Sequence, residues 1–362
     1  MCRGTAHLYF MLMDNSTHVV IIAGGIGSRL WPASTPETPK QFIDVLGVGK
    51  SLIQLTVDRF RPLCDPSRFW VVTSSGYTDL VREQLPEIPE ENILAEPEAR
   101  NTAPCIAYSC WKIASSHPDA NIVFTPADAL VLNRDVFTGV IKSALEFSAS
   151  REAVVTVGVM PTRPETGYGY IQVSGTGTGK VTKVISFREK PDLATAKAYL
   201  ADGNYLWNAG IFVWNARTVV SQFRKYSPGI AAVMDRLAPH LDTPGENAAL
   251  KELFPQCEKI SIDYAVMEKS PDIYVIPAEL EWSDLGSWSS VKSHASQDAD
   301  GNSVVGGDIR LFNCRNSMVH LPAVRKAVIE GLDGYIVAEK GGALLICRLA
   351  DEQNIKEYSA DK

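Results

Sequence analysis

An apolar run, His18–Ala23, ends in the turn Gly24-Gly25-Ile26-Gly27, which carries Arg29 just beyond it and Lys40 eleven residues further on. Three glycines let backbone amides approach an anion with no Cβ in the way. Arg29 and Lys40 add fixed positive charge of the kind that holds a triphosphate. A strand that stops in such a turn belongs at the ligand-binding edge of an α/β sheet.

Two common nucleotide loops are excluded. The dinucleotide fingerprint needs a third glycine three residues after the second, and Leu30 stands there. A P-loop needs lysine directly after its last glycine, and Ser28 follows Gly27. Pro32, Pro36 and Pro39 oppose a long helix after the glycines, so an extended loop around its ligand is expected. Glycine count alone is equally compatible with a plain surface loop.

The rest of the first half repeats the pattern. Strands are expected at 18–23, 69–73, 121–125 and 153–158, and helices at 51–61, 77–85, 101–116 and 135–149, which implies βαβ units and a mainly parallel sheet. The region 160–290 mixes strands and helices. From about 295, short β-rich runs (303–305, 309–312, 324–329, 334–338, 343–347) precede a helical tail near 351–358. Residues 1–17 read as a flexible N-terminal extension, with Met13 an alternative start. The expected division is therefore 1–17, a catalytic domain over 18–293 and a small β-rich domain over 294–362.

Composition excludes some classes. A net charge of −7 argues against a nucleic-acid binder, and no apolar run reaches the roughly 18 residues of a membrane span. Seven cysteines without a C-x-x-C pair fit a reducing, cytoplasmic compartment. The six histidines show no zinc spacing.

Several polar motifs stand out, each with a structural alternative. Asp128 follows the run Val123–Pro126 and suits a metal ligand or a turn cap. Asp284, in Glu281-Trp282-Ser283-Asp284, suits a second ligand or a helix cap. Glu189 and Lys190 precede Pro191 at the end of a strand-like run, 181–187, and suit either a ligand site or a solvated strand end. Gly169 and Gly210 would let a ligand approach the backbone, and Asn208 offers both donor and acceptor to vicinal hydroxyls. Tyr168, Tyr170 and Trp207 suit a pocket or a core. Glu96, Pro97, Asn101 and Thr102 lie between a short strand and a helix, where Asn101 is a natural N-cap. Ser261–Asp263 reads as a helix start.

The stretch Ile21–Phe42, with Trp31 and the ending Pro39-Lys40-Gln41-Phe42, resembles the signature of the sugar-nucleotide pyrophosphorylases, in particular the mannose-1-phosphate guanylyltransferases. The resemblance runs from about His18 to at least Trp288. It implies a Rossmann-like nucleotidyltransferase domain with a mainly parallel mixed sheet, plus a small C-terminal β-rich part, left-handed β-helix-like. No cupin-like isomerase domain is expected in this sequence. By resemblance, Gly24, Gly25, Gly27, Ser28, Glu96, Pro97, Asn101 and Thr102 bind the nucleotide. Gly169, Glu189, Lys190, Asn208 and Asp263 bind the sugar phosphate, Asp128 and Asp284 bind Mg²⁺, and Arg29, Lys40 and Lys190 act in catalysis. Guanine presents two donors on one edge, so an acceptor such as Glu96, by side chain or backbone, would read it. One departure is Ala129, where the family commonly has histidine. A homodimer is implied by resemblance alone.

The expected reaction joins GTP and α-D-mannose 1-phosphate into GDP-mannose, releasing pyrophosphate. The competing readings are a sister enzyme using another NTP or sugar 1-phosphate, and a non-catalytic GDP-mannose-binding regulator. A regulator would be expected to lose the loop charges or metal carboxylates, all retained here. A glycosyltransferase is disfavoured because no second aspartate makes a D-x-D motif around Asp128.

Overall fold

The computed structural model describes residues 16–25 and 27–359. Except for Ser16 and Thr17, the expected N-terminal extension lies outside the described residues, as does Met13. The chain forms two compact units. One holds the chain up to Gly24 with Arg59–Pro126 and Val131–Trp282; the other holds Gly25–Asp58, Ala127–Leu130 and Ser283–Lys362.

In the first unit the strands are β1 (Thr17–Ala23), β2 (Phe69–Ser74), β3 (Ile93–Glu96) and β4 (Asn121–Pro126). After the two-residue β5 (Leu130–Val131) come β6 (Val154–Val159), β7 (Tyr170–Gln172), β8 (Thr182–Lys183), β9 (Ser186–Arg188), β10 (Tyr205–Asn215) and β11 (Ile273–Pro277). The sheet order is β3-β2-β1-β4-β10-β6-β11-β8, with β7 and β9 attached beside β10. The four strands from β3 to β4 are parallel, in register Val19↔Phe69 and Val19↔Val123. Their near-continuous apolar runs fit a sheet buried on both faces. Residues 19–21 of β1 are fully buried. The strand-like run 181–187 divides into β8 and β9.

β10 reverses direction and is antiparallel to both β4 and β6. Its pairing with β6 slips between Asn208 and Phe212, around Gly210 at φ +73°. Such a bulge re-aims a side chain at the rim of a sheet, and the side chain at this one is Asn208.

The helices begin with α1 (Leu52–Phe60), α2 (Thr78–Gln84), α3 (Thr102–Ser116) and α4 (Arg134–Ala149). They continue with α5 (Leu193–Asp202), α6 (Ala216–Tyr226), α7 (Pro228–Leu237) and α8 (Glu246–Leu253). Local side chains start several of them. Asn101 Oδ1 accepts the Thr102 N–H at 2.8 Å, and Asp192 Oδ1 the Thr195 N–H at 2.8 Å. Phe124, Trp214 and Phe223 are fully buried in one continuous core, joined by residues from α3 and α6 to α8. No helix among the described residues is long and apolar enough to cross a membrane.

In the second unit, after β12 (Trp282–Ser283) and α9 (Trp288–His294), come β13 (Ser303–Val305), β14 (Asp308–Phe312), β15 (Met318–His320) and β16 (Lys326–Glu330). β17 (Tyr335–Lys340), β18 (Ala343–Arg348) and α10 (Ile355–Tyr358) complete it. β13, β15 and β17 stack in parallel, Val304 beside Val319 beside Val337. β14 and β16 form a second parallel stack, in register Asp308↔Lys326. A chain that visits two parallel stacks alternately is wound as a short β-helix, and antiparallel β18 closes it. Met318, Ile336 and Leu345 pack with Leu30, Leu52 and Trp288 in the core of this unit.

Candidate active site

The glycine turn does not run into a long helix. Ser28–Leu30 make a single 3₁₀ turn, and Lys40–Phe42 make another. Leu30 is buried, which anchors the loop and leaves Arg29 exposed. Among the described residues no ion pair holds the Arg29 guanidinium. Gly27 has φ +73°, and a Cβ there would lie 2.5 Å from Lys40 Cβ, so both the backbone angle and the space require glycine.

The Lys40 side chain is 4% exposed. Its Nζ donates to Asp128 Oδ2 at 2.9 Å and to the main-chain carbonyl of Asp284. Residues 156 positions apart in sequence therefore meet at one ammonium. The Asp284 loop is tightly specified: Ser283 Oγ and Asp284 Oδ1 accept the N–H groups of Leu285 and Gly286, at 3.1 Å each. Leu285 sits at φ +45°, a region that non-glycine residues rarely occupy and that clusters at functional sites. Ala129 is 5% exposed, so a small side chain fills the position next to Asp128.

Among the described residues no group of three or more His, Cys, Asp or Glu side chains could enclose a metal. Mg²⁺ does not need one, since it takes one or two carboxylates and completes its shell with water and substrate phosphate oxygens. Asp128 already holds a cation, the Lys40 ammonium, while its side chain stays 40% exposed. Its donor type and access fit Mg²⁺.

The residues expected to bind a sugar phosphate lie in the first unit and are brought together there. The Glu189 side chain is 7% exposed, and its Oε1 takes Lys190 Nζ at 2.5 Å. A Cβ on Gly169 would lie 2.7 Å from Glu189 Oε2, so the carboxylate occupies the space that glycine leaves. Asn208 Oδ1 accepts from the Gly210 N–H at 3.1 Å and Thr156 Oγ1 at 3.0 Å, which turns Nδ2 toward Asp263 Oδ1 at 3.4 Å. Burial, and then the neighbouring Glu189, push the Asp263 carboxyl up to about 7. Burial alone would pull Lys190 down, but Glu189 and Asp263 outweigh it and hold the ammonium above its ordinary value. Glu189 and Lys190 also line a cavity of about 600 Å³ with Arg188, Tyr199, Tyr264 and Glu268. Tyr168 stands edge-on to Trp207 and Trp282, with ring centres 5.2 Å apart in each pair. Tyr170 and Trp207 are buried.

The residues expected to bind the nucleotide from the 96–102 segment diverge in what they do. Asn101 spends its side-chain oxygen on the α3 cap, and Pro97 is half-buried. Thr102 Oγ1 accepts the Ile262 N–H at 2.9 Å, tying α3 to the 261–268 segment. Glu96 is 8% exposed, and its Oε1 is buried without a hydrogen-bond partner among the described residues. Burial pushes its carboxyl up to about 8.

Two residues of the first-unit set escape sequence reasoning. Thr156 lies inside an apolar strand run and gives no signal. Glu268 looks like the solvated end of a helix, yet its Oε1 accepts the Glu189 N–H at 3.0 Å.

The family described as nucleotidyl transferase matches residues 18–301. The chain is 37% identical over 341 residues to the xanthan biosynthesis protein XanB of Xanthomonas campestris pv. campestris, covering 93% of this chain and 71% of that protein. It is 35% identical over 344 residues to a mannose-1-phosphate guanylyltransferase of Escherichia coli, covering 93% and 72%. The crystal structure of the mannose-1-phosphate geranyltransferase of Thermus thermophilus superimposes with a TM-score of 0.84 at 30% identity, over 95% of this chain and 98% of that one. The chain belongs to the nucleotidyl transferase family, with mannose-1-phosphate guanylyltransferases among its relatives.

Proposed function

We propose that the chain is a Mg²⁺-dependent mannose-1-phosphate guanylyltransferase. A phosphate oxygen of mannose 1-phosphate attacks the α-phosphorus of GTP, the bond from that phosphorus to the bridging oxygen of the β-phosphate breaks, and pyrophosphate leaves. The attacking oxygen is already anionic, so no protein base or covalent nucleophile is needed. Catalysis then rests on positioning and on charge placed in advance.

Each residue has a part. The open turn Gly24, Gly25, Gly27 and Ser28 presents amides to the triphosphate, and exposed Arg29 neutralises it. Lys40 supplies buried positive charge next to the reacting phosphates. Lys190 holds the phosphate of the sugar, while Glu189, Asn208 and Asp263 take its hydroxyls, with Gly169 leaving the room. Asp128 and Asp284 would hold Mg²⁺, which when bound draws charge off the phosphate oxygens. Pro97, Asn101 and Thr102 line the base, and Glu96 supplies, by side chain or backbone, the acceptor for the guanine N1–H and N2–H₂ edge.

The observation that carries the reading is the Lys40 ammonium, held by the Asp128 carboxylate and the Asp284 main-chain carbonyl, since it sets a fixed positive charge beside an accessible carboxylate, a pairing that suits phosphoryl chemistry. The test pairs GTP, ATP, UTP and dTTP with mannose 1-phosphate and glucose 1-phosphate. The GTP–mannose 1-phosphate pair is expected to give the highest kcat/KM. A clear preference for any other pair would replace this assignment with a sister enzyme of the family.

A further inference from the structure

The segment after Ser261 is not an ordinary helix start. Asp263–Met267 close as a π-helical turn, in which the Glu268 N–H donates to the Asp263 carbonyl at 2.9 Å. Around an α-helix, residues five apart point about 140° away from each other. The i→i+5 closure instead stacks them on successive turns, and such turns recur at functional sites. Here it brings two carboxylates to neighbouring targets. Asp263 Oδ1 faces Asn208 Nδ2 at 3.4 Å, and Glu268 Oε1 accepts the Glu189 N–H at 3.0 Å.

The Glu189–Lys190 backbone needs such support. Lys190 sits at φ +44°, which a long side chain occupies only when its surroundings enforce it. One restraint is the Lys190 Nζ–Glu189 Oε1 ion pair, but the Lys190 side chain is 59% exposed, so water weakens it. The second is the charge-assisted bond from the Glu189 N–H to Glu268, the stronger class of hydrogen bond. The turn that carries Glu268 is itself tied to α3 by the Ile262 N–H bond to Thr102 Oγ1.

We infer that Glu268 is a positioning residue: its carboxylate fixes the Glu189 N–H, and through it the left-handed Lys190, so that the lysine ammonium is presented to the phosphate of the sugar substrate. The inference rests on the role given to Lys190 above.

The test uses the full chain with Glu268→Ala, Glu268→Asp and Glu268→Gln. Alanine removes the acceptor, aspartate is about one carbon–carbon bond too short to reach it, and glutamine keeps an acceptor in place. In the Ala and Asp variants the Glu189 amide is expected to exchange with solvent about tenfold faster, and the KM for mannose 1-phosphate to rise about tenfold with the GTP KM unchanged. Glutamine is expected to restore both. An unchanged mannose 1-phosphate KM in active Ala or Asp protein overturns the inference, as does a Gln variant as impaired as Ala. If the parent chain turns over no GTP with mannose 1-phosphate, the proposed function fails. The exchange of the Glu189 amide then still decides the Glu268 contact, and unaltered exchange overturns it.

Discussion

Lys40 Nζ lies 2.9 Å from Asp128 Oδ2 with the lysine side chain 4% exposed. A buried lysine is costly unless it is paired and its donors are filled. Here the carboxylate and the Asp284 carbonyl fill two of three donors. The contact joins the loop after β1 to the residues after β4 and β12, the strand ends expected to meet phosphate.

Lys40→Met keeps the aliphatic stem that packs against Gly27 and removes the charge. Pyrophosphate release from GTP is expected to fall on the order of 10²-fold or more, as when one preorganised charge at a reacting centre is lost. Asp128 is accessible enough to be solvated afterwards, so the variant should fold with nearly parental circular dichroism. Rates within threefold of the parent would remove Lys40 from the machinery.

Asp128→Asn and Asp284→Asn each retain an oxygen acceptor near the lysine, so both should fold. Each is expected to lose most turnover, and Mg²⁺ titration should require higher metal for half-maximal rate. Near-parental rate at saturating Mg²⁺ in either variant would withdraw its assignment as a ligand.

Gly169→Ala adds a methyl 2.7 Å from Glu189 Oε2. The carboxylate is buried and tied to Lys190, so it must shift. A rise of about tenfold in the mannose 1-phosphate KM is expected, with a stability cost of about 1–3 kcal/mol. Steady-state kinetics should show the GTP KM unmoved; equal changes in both constants would mean that the methyl disturbs the whole unit.

Glu96 sets a pH dependence. Its carboxyl rises from an ordinary 4.5 to about 8 because it is buried. The folded chain therefore binds more protons than the unfolded one between those values. Its contribution is fully present below about pH 4.5 and is lost as pH rises to about 8, with a slope of at most about 1.4 kcal/mol per pH unit. Glu96→Gln should flatten that slope in urea unfolding measured at pH 5, 6.5 and 8, and be the more stable protein at pH 8. Identical slopes for parent and variant would contradict it.

Much of the fold was legible because its strands are local apolar runs. The stretches 69–73 and 121–125 each fall one residue short of the observed strands, and the helix expected over 101–116 begins at Thr102 after its Asn101 cap. β10 was not legible as a strand. Its eleven residues carry Asn208 and Gly210, which read as a pocket motif, and only tertiary pairing with β4 and β6 makes it central. The π-helical closure at Asp263–Met267 was hidden for a similar reason, since its i→i+5 bond leaves no distinct sequence period. The burial of Lys40 was equally invisible, because a lysine after proline looks like a surface residue until its two partners arrive from far along the chain.

Pyrophosphate release by the purified chain tests the central claim most directly, with GTP, Mg²⁺ and mannose 1-phosphate, then with glucose 1-phosphate, and with EDTA in place of Mg²⁺. The account predicts release that depends on mannose 1-phosphate and stops with EDTA. Release that persists in EDTA, or no release with any NTP and sugar phosphate from folded protein, would contradict it.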